Sequence, residues 1–182
     1  MGMTQSCKRL FPGALCLAII LAGCAGENAP QTGRYRNPEM SFSIQFHPGW
    51  EIVEGDGSEY ALVEAVSPWE DEDDEFAEHV SVDVEDLPDG TDLDAYYTET
   101  VEAQAAAIPG LYVEEEGRLT IGGIPARYVV FGFELEGYPM TAIGYSLIKD
   151  GRGYLIAGLA QAHKFVLYQQ VFQNTAASFR ID

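Results

Sequence analysis

The chain carries a pattern of short extended segments separated by turn-forming residues, and this pattern starts at Phe42. Apolar and polar side chains alternate strictly from Phe42 to Phe46, which predicts a strand with one buried face. His47-Pro48-Gly49-Trp50 ends that strand, since proline lacks a ladder donor and glycine permits a turn. Three more strands are predicted before any helix: Trp50–Val53, Tyr60–Val66 and Val80–Val84. In the last of them Val80, Val82 and Val84 are expected to point inward, and Ser81, Asp83 and Glu85 outward.

Two stretches have helical spacing. Thr91 is positioned to cap the first helix, with Asp94 as an imperfect capping-box partner, and Pro109-Gly110 ends it. Its predicted buried stripe comprises Leu93, Tyr96 or Tyr97, Val101, Ala105 and Ile108. The second helix is predicted from about Lys164 to Ala177, with a stripe of Phe165, Tyr168, Phe172 and Ala176.

Between the helices lies a predicted meander of four longer strands. Their predicted ranges are Leu111–Ile121, Ile124–Leu135, Pro139–Ile148 and Gly153–Gln161. Gly122-Gly123 and Asp150-Gly151 are hairpin signals, because both tolerate the positive φ angles of tight turns. The middle strands show little polar alternation, so both faces of the sheet are expected to be covered by helices.

The N-terminal segment is typical of a secreted and lipid-anchored protein. Lys8-Arg9 precedes an apolar run from Leu10 to Leu21, which is the layout of a signal peptide. As a helix this run reaches only about 18 Å, well short of a hydrocarbon core of about 30 Å. Leu21-Ala22-Gly23-Cys24 looks like the lipobox at which bacterial signal peptidases cut before a cysteine that carries diacylglycerol. We therefore predict lipidation of Cys24.

Two alternatives compete with this interpretation. An ordinary secretory signal could contain an incidental cysteine, and Met1–Ser6 fits the N-myristoylation pattern. A myristoylation site does not need the secretory segment that follows, which favours the lipobox. Because Ala25 rather than aspartate follows Cys24, resemblance to sorted lipoproteins favours the outer membrane, facing the periplasm, if the source is Gram-negative.

The sequence predicts three parts: a signal peptide that is cleaved before Cys24, a tether and a globular domain. Residues 1–23 are the predicted signal peptide, residues 24–36 the lipidated cysteine and a flexible tether, and residues 37–182 one globular domain. Cys7 and Cys16 leave with the signal, so no disulfide within the mature chain is expected.

The charge balance narrows the classes of partner. The whole chain has a formal net charge of −19, and loss of Lys8 and Arg9 leaves eight basic residues against 29 acidic ones, or −21. Nucleic acid and anionic lipid head groups are bound through clustered lysine and arginine. The sequence therefore predicts no nucleic-acid partner. Membrane attachment is expected through the lipid on Cys24, and the protein partner is expected to lie in the cell envelope.

Several landmarks together resemble the PsbP-like domain. They are Phe42-Ser43-Ile44-Gln45-Phe46-His47-Pro48-Gly49-Trp50, Gly122-Gly123-Ile124-Pro125-Ala126 before a long strand, and a terminal helix ending in Ser178-Phe179. The resemblance covers roughly Arg34 to Asp182 and implies a single α+β domain in which an antiparallel sheet is sandwiched between helices. Members of the family are mostly non-enzymatic accessory or assembly proteins, so the resemblance implies a binding role. His47 departs from the aromatic or aliphatic residue usual at its position, and no photosystem function is transferred.

No catalytic set is visible along the chain, and no cofactor or metal is expected. His47, His79 and His163 are far apart in sequence and lack the spacing of a metal hydrolase. Ser146 lacks the second glycine of a nucleophile elbow and lies within a predicted strand. A non-enzymatic protein is therefore predicted, and the alternative is an enzyme whose site is assembled from residues distant in sequence.

The most conspicuous surface feature is an acidic segment between two apolar side chains. It consists of Trp69, Glu70, Asp71, Glu72, Asp73, Asp74, Glu75 and Phe76. Mutual repulsion predicts an extended loop. One interpretation is a solvated connection that only adds solubility; another is recognition, in which Trp69 and Phe76 anchor a partner and the acids steer it if it is basic. Ca²⁺ binding is a further alternative, although the run lacks the ligand spacing of an EF-hand.

Overall fold

The computed structural model describes residues 33–55, 61–72 and 74–181. Cys24, the predicted signal peptide and most of the predicted tether lie outside these residues. Within them the strands are β1 Tyr35–Asn37, β2 Phe42–Ile44, β3 Glu51–Glu54, β4 Val63–Val66, β5 His79–Asp86, β6 Tyr112–Ile121, β7 Ile124–Leu135, β8 Tyr138–Lys149, β9 Arg152–Gln161 and β10 Arg180–Ile181. The helices are α1 Leu93–Ala107 and α2 Phe165–Ser178. Neither helix has the length and apolar character that crossing a bilayer requires.

The core of the molecule is an antiparallel sheet of seven strands. Its order is β3-β4-β5-β9-β8-β7-β6, so β9 lies at the centre between β5 and β8. The register of this central region pairs Asp83 with Leu155 and Leu155 with Ser146. A second, three-stranded sheet in the order β1-β2-β10 joins both ends of the described chain.

The two helices cover opposite faces of the seven-stranded sheet. On one face, α2 and the small sheet enclose a buried cluster that includes Phe42, Val82, Ile156, Phe172 and Phe179. On the other face, α1 packs over a cluster that includes Tyr97, Val129, Phe131, Met140 and Leu159. Neighbouring residues along a strand belong to different clusters because successive side chains point to opposite faces. The predicted α+β architecture, with a sheet between helices, is therefore confirmed.

Each helix is seated over a glycine of the central strand. A Cβ at Gly158 would lie 2.5 Å from the ring of Phe172 in α2. A Cβ at Gly153 would lie 2.5 Å from the ring of Tyr96 in α1, on the other face. The absence of a side chain at these two positions lets an aromatic ring approach the backbone of β9.

The buried stripe of α1 differs from the predicted one. Besides Tyr96 and Tyr97, the helix buries Thr100 and Gln104, whereas Ala105 is exposed. Its N-cap is Asp92, which accepts a hydrogen bond from the Ala95 N–H at 2.8 Å. Thr91, the predicted cap, instead donates to the Pro88 carbonyl. Apolar periodicity alone therefore misses the helix face, since polar side chains contact the sheet. The stripe predicted for α2 is confirmed, with Phe172 and Ala176 fully buried.

The folded domain begins before the predicted boundary at residue 37. The Arg34 side chain donates to Ser43 Oγ at 3.0 Å and to the Ser178 carbonyl at 2.5 Å. Tyr35 is buried, and Tyr35–Asn37 pairs with β2. The tether predicted to reach Arg36 is therefore too long by three residues, because a three-residue strand carries no detectable periodicity.

One edge of the large sheet is formed by the ten-residue strand β6. Most of this strand is exposed, and it contains Glu114, Glu115 and Glu116 in succession. Its pairing with β7 is interrupted by a register shift between Val113 and Glu115. Edge strands with these two features are poor templates for further strands.

Candidate functional site

The acidic segment lies in the connection between β4 and β5, and it is folded against the start of α2. The Lys164 ammonium lies 2.7 Å from Asp74 Oδ1 and 3.1 Å from Glu70 Oε2. The Tyr168 hydroxyl donates to Glu70 Oε1 at 2.6 Å, and the Glu70 N–H donates to Asp74 Oδ2 at 3.0 Å. The expected extended loop is therefore wrong for its first half, since a lysine distant in sequence offsets the repulsion between these carboxylates.

The electrostatics of this cluster favour the charged forms of all three groups. Hydrogen bonding to Asp74 raises the pKa of Lys164 above its ordinary value. The Tyr168 hydroxyl and Lys164 lower the pKa of Glu70. Burial by itself would raise the pKa of Asp74, but hydrogen bonds from Lys164 and the Glu70 N–H lower it overall. We call Lys164, Glu70, Asp74 and Tyr168 the lysine latch.

A fully buried carboxyl group lies near the latch. Glu78 precedes β5, and its Oε2 accepts from the Ser67 hydroxyl at 3.3 Å. Burial raises the pKa of Glu78, and the charge of Lys164 partly opposes this effect. The two ends of the loop also meet in a backbone hydrogen bond, in which the Ser67 N–H donates to the Glu78 carbonyl at 2.7 Å. The loop therefore closes at its base and is latched at its middle.

The two apolar residues that flank the acids have different environments. Trp69 is 57% exposed. Phe76 packs against the apolar cluster under α1, and its ring centroid lies 5.6 Å from that of His79. Phe76 is therefore a structural anchor of the loop. Of the predicted pair, Trp69 has the exposure needed to contact a partner.

The remaining acids of the segment line the solvent side of the loop. Asp71, Glu72 and Glu75 are exposed, whereas Asp73 lies outside the described residues. Trp69 and these three acids are therefore exposed on the same loop. This is the arrangement on which the recognition hypothesis depends.

A second polar site lies on the α1 face of the sheet, and no motif in the sequence indicates it. His79 Nε2 lies 3.4 Å from Glu64 Oε1, and both side chains are largely buried. Burial, with the nearby Asp83 carboxylate, raises the pKa of Glu64 to about 7. Burial lowers the pKa of the His79 imidazole to about 4. Burial thus favours the neutral form of each of these two side chains.

The polar residues of β5 belong to this same face. Ser81, Asp83 and Glu85, which were expected to point to solvent, are only partly exposed. Burial raises the pKa of Asp83 and of Glu85. The alternation was predicted correctly, but the sheet face that receives these side chains is flanked by α1 and not open to water.

This second site does not contain a base positioned for catalysis. One His79 nitrogen faces Glu64, and the ring also hydrogen-bonds the Ala77 backbone. The lowered pKa makes the imidazole a weak proton acceptor at neutral pH. Ser146 is buried within β8, while His47 and His163 are exposed outside the strands and helices. The structure does not bring the predicted catalytic candidates together.

The described residues also offer no metal centre. Across residues 33–55, 61–72 and 74–181, no three His, Cys, Asp or Glu side chains are arranged to hold a metal ion. In the acidic loop the position between Glu70 and Asp74 is taken by the Lys164 ammonium. Ca²⁺ binding by these two carboxylates would require displacement of that lysine.

A small cavity of about 20 Å³ lies between α1 and the sheet. Thr100 and Gln104 line it from the helix, and Gly144, Ser146 and Ala157 from the strands. This volume accommodates about one water molecule. The cavity is too small for an organic ligand.

The comparisons with known proteins come from structure. No protein-family model matches the chain, and no curated protein matches it in sequence. The cyanobacterial PsbP (CyanoP) from Synechocystis sp. PCC 6803 superimposes with a TM-score of 0.64 at 14% identity, covering 89% of this chain and 99% of that protein. LpqN, involved in cell envelope biogenesis of Mycobacterium tuberculosis, gives 0.58 at 11% identity, with 84% and 91% covered. The Saccharomyces cerevisiae Ran-binding protein Mog1p gives 0.56 at 11% identity, with 84% and 96% covered.

These similarities define the fold of the chain. The described domain has a PsbP-like α+β fold, as the sequence landmarks predicted. At identities of 11–14% the likeness carries no activity or partner to this chain.

Proposed function

We propose that this protein is a lipid-anchored factor of the bacterial cell envelope that binds a protein partner through the acidic loop and has no enzymatic activity of its own. The binding role is inferred from the exposure of Trp69. This large apolar side chain lies in solvent, on a loop that Lys164 holds through Glu70 and Asp74. Ordering the loop before binding reduces the entropy lost on association.

Three further observations support this function. The sequence around Cys24 matches a lipobox, which supports placement in the envelope. The His79 imidazole is largely buried and has a lowered pKa, which supports a role other than catalysis. Among proteins of this fold, LpqN is involved in cell envelope biogenesis and Mog1p binds Ran, so the scaffold is compatible with accessory and binding roles.

The binding role is tested with Trp69→Ala in cells that express the full chain. Proteins crosslinked to the wild type should be recovered about thirtyfold less efficiently by the variant, which corresponds to a hot-spot loss of about 2 kcal/mol. Its melting temperature should be nearly unchanged because the side chain is exposed. Tyr112→Ala, at an exposed tyrosine of β6, is the matched control. If Trp69→Ala recovers the partner as well as the wild type and melts normally, the loop does not bind this partner and contributes only to solubility.

The anchor is tested separately with Cys24→Ser. This variant should abolish incorporation of a labelled fatty acid and leave uncleaved precursor in the cell. Substitution of Cys16, which lies within the apolar run, should leave labelling intact. Persistent labelling of the Cys24 variant would show that the lipobox interpretation is wrong.

A further inference from the structure

Two exposed apolar side chains on α2 adjoin the latched loop. Val166 and Leu167 are 73% and 70% exposed in the first turn of the helix. Lys164 and Tyr168, which flank them in sequence, hold Glu70. Because Trp69 immediately precedes Glu70 in sequence, the latch brings this part of the loop to the first turn of α2.

The exposure of these side chains is not explained by the fold. Phe165, Tyr168 and Phe172 already supply the apolar contacts of α2 with the core. A surface helix ordinarily presents polar side chains on its outer face, and the outer face of α2 beyond its first turn carries Gln170, Gln173 and Asn174. The large exposed apolar side chains of α2 are thus confined to the turn that meets the loop.

The charges around this patch indicate the chemistry of what covers it. Asp71, Glu72 and Glu75 are exposed on the adjoining loop, while the ammonium of Lys164 is already committed to Glu70 and Asp74. A complementary surface must therefore combine apolar side chains with positive charge. Residues 25–32 of this chain contain no large apolar side chain and no basic one, so the tether does not supply that complement.

We propose that Trp69, Val166 and Leu167, with the surrounding carboxylates, form one docking surface for a basic amphipathic helix of a partner protein. This inference rests on the proposed binding function and extends it, since it adds α2 to the surface and specifies the partner. The apolar side of the partner helix covers the three side chains, and its lysines or arginines meet Asp71, Glu72 and Glu75. The same carboxylates disfavour an anionic bilayer as the occupant.

The test uses a fluorescein-labelled 18-residue amphipathic peptide of leucine and lysine as the probe, with binding to the full chain followed by anisotropy. Val166→Gln/Leu167→Gln should weaken binding at least tenfold, and Trp69→Ala by a similar factor. Glutamine preserves helix propensity, so the circular dichroism melt should not change. Tyr112→Gln/Val113→Gln, at exposed positions of β6, is the matched control and should bind like the wild type.

The experiment distinguishes failure of binding by the acidic loop from failure of the extension to α2. If Trp69→Ala weakens binding but the α2 double variant does not, the loop binds and the extension to α2 is wrong. If neither variant has an effect, or if an all-lysine peptide binds as tightly as the amphipathic one, the surface recognises only charge and the proposal is overturned. Association of the wild type with phosphatidylcholine vesicles that is lost in the α2 variant, without peptide binding, would instead assign the patch to a membrane.

Discussion

Lys164 pairs with two carboxylates of the candidate site, and one of them is buried. Its ammonium is shared by Asp74, whose side chain is 1% exposed, and by Glu70 at the surface. Removal of the lysine would leave a buried carboxylate without its cation. Such a loss costs more than that of a surface ion pair, because the remaining charge is no longer compensated.

We predict that Lys164→Gln lowers the free energy of unfolding by about 2 kcal/mol, between the values typical of exposed and of fully buried pairs. Urea denaturation measures the change. Asp74→Asn should partly rescue it, so the double variant should be less destabilised than the sum of the two single ones. Lys149→Gln, which disrupts an exposed pair with Asp150, should have almost no effect. A loss as small as that of Lys149→Gln would contradict the latch.

The pair of Glu64 and His79 predicts a dependence of stability on pH. Glu64 has a pKa of about 7 in the folded protein against an ordinary value of 4.5, so its contribution is present below pH 4.5 and lost as pH rises through 7. His79 has a pKa of about 4 against 6.5, so its contribution is present above pH 6.5 and lost as pH falls through 4. The two effects oppose each other between pH 4.5 and 6.5.

We therefore expect Glu64→Gln to stabilise the protein relative to the wild type at pH 8 by up to about 3 kcal/mol more than at pH 5. Glutamine has nearly the same size and shape as glutamate, but it has no charge to bury. Urea denaturation at both pH values measures this difference. Glu134→Gln, at an exposed position of β7, is the control and should show no such difference. An equal effect of Glu64→Gln at both pH values would show that this carboxyl titrates normally.

Among the elements, β9 determines how both helices are seated. Gly158 and Gly153 face opposite sides of the sheet, under Phe172 and Tyr96 respectively. Gly144 on the neighbouring strand differs from both, since a Cβ there would meet Val129 at an ordinary 3.7 Å. The three positions thus separate the effect of steric overlap from the general effect of adding a methyl group.

We predict that Gly158→Ala lowers the free energy of unfolding by about 2 kcal/mol, because the Phe172 ring has to move away from the strand. Gly144→Ala should be neutral or slightly stabilising, since it restricts the unfolded chain and its methyl group points toward a small cavity. Thermal or urea unfolding of the two variants measures the contrast. Equal stability of the two would indicate that α2 is not packed closely against β9.

The elements themselves could largely be predicted from the sequence. The range Ile124–Leu135 is the same in prediction and structure, because Gly122-Gly123 marks one end and apolar side chains continue through the strand. The face of α1 was harder to predict, since Thr100 and Gln104 are buried in place of an apolar residue such as Ala105. Local patterns describe elements well when the buried side chains are apolar.

The candidate site was predicted only in part, for a different reason. The sequence shows Trp69 followed by a run of acidic residues. The latch, however, depends on a contact between Asp74 and a lysine 90 positions later. The pair of Glu64 and His79 likewise depends on the pairing of β4 with β5. Partners of this kind are defined by the tertiary fold, and no spacing rule within one segment detects them.

For the whole molecule, the contacts of Arg34 locate the start of the cooperative unit. We predict that a chain beginning at Gly33 unfolds in one transition with the stability of the longer protein, because it keeps the described contacts of Gly33, Arg34 and Tyr35 with the domain. A chain beginning at Pro38 should be less stable, since it lacks β1 and the buried Tyr35. Denaturation of both truncated proteins, followed by circular dichroism, checks this. Equal stability would show that residues 33–37 do not belong to the cooperative unit.

The acidic edge strand β6 also has a consequence for copies of the protein that meet one another. Addition of a second molecule along this edge would bring Glu114, Glu115 and Glu116 of one copy next to acids of another, across a backbone already out of register at Val113. Growth of strand-paired polymers is therefore opposed by like charge and by geometry together. The first barrier is screened at high ionic strength, but the second is not. Crowding many copies into a small area should for this reason leave the edge unpaired even in concentrated salt.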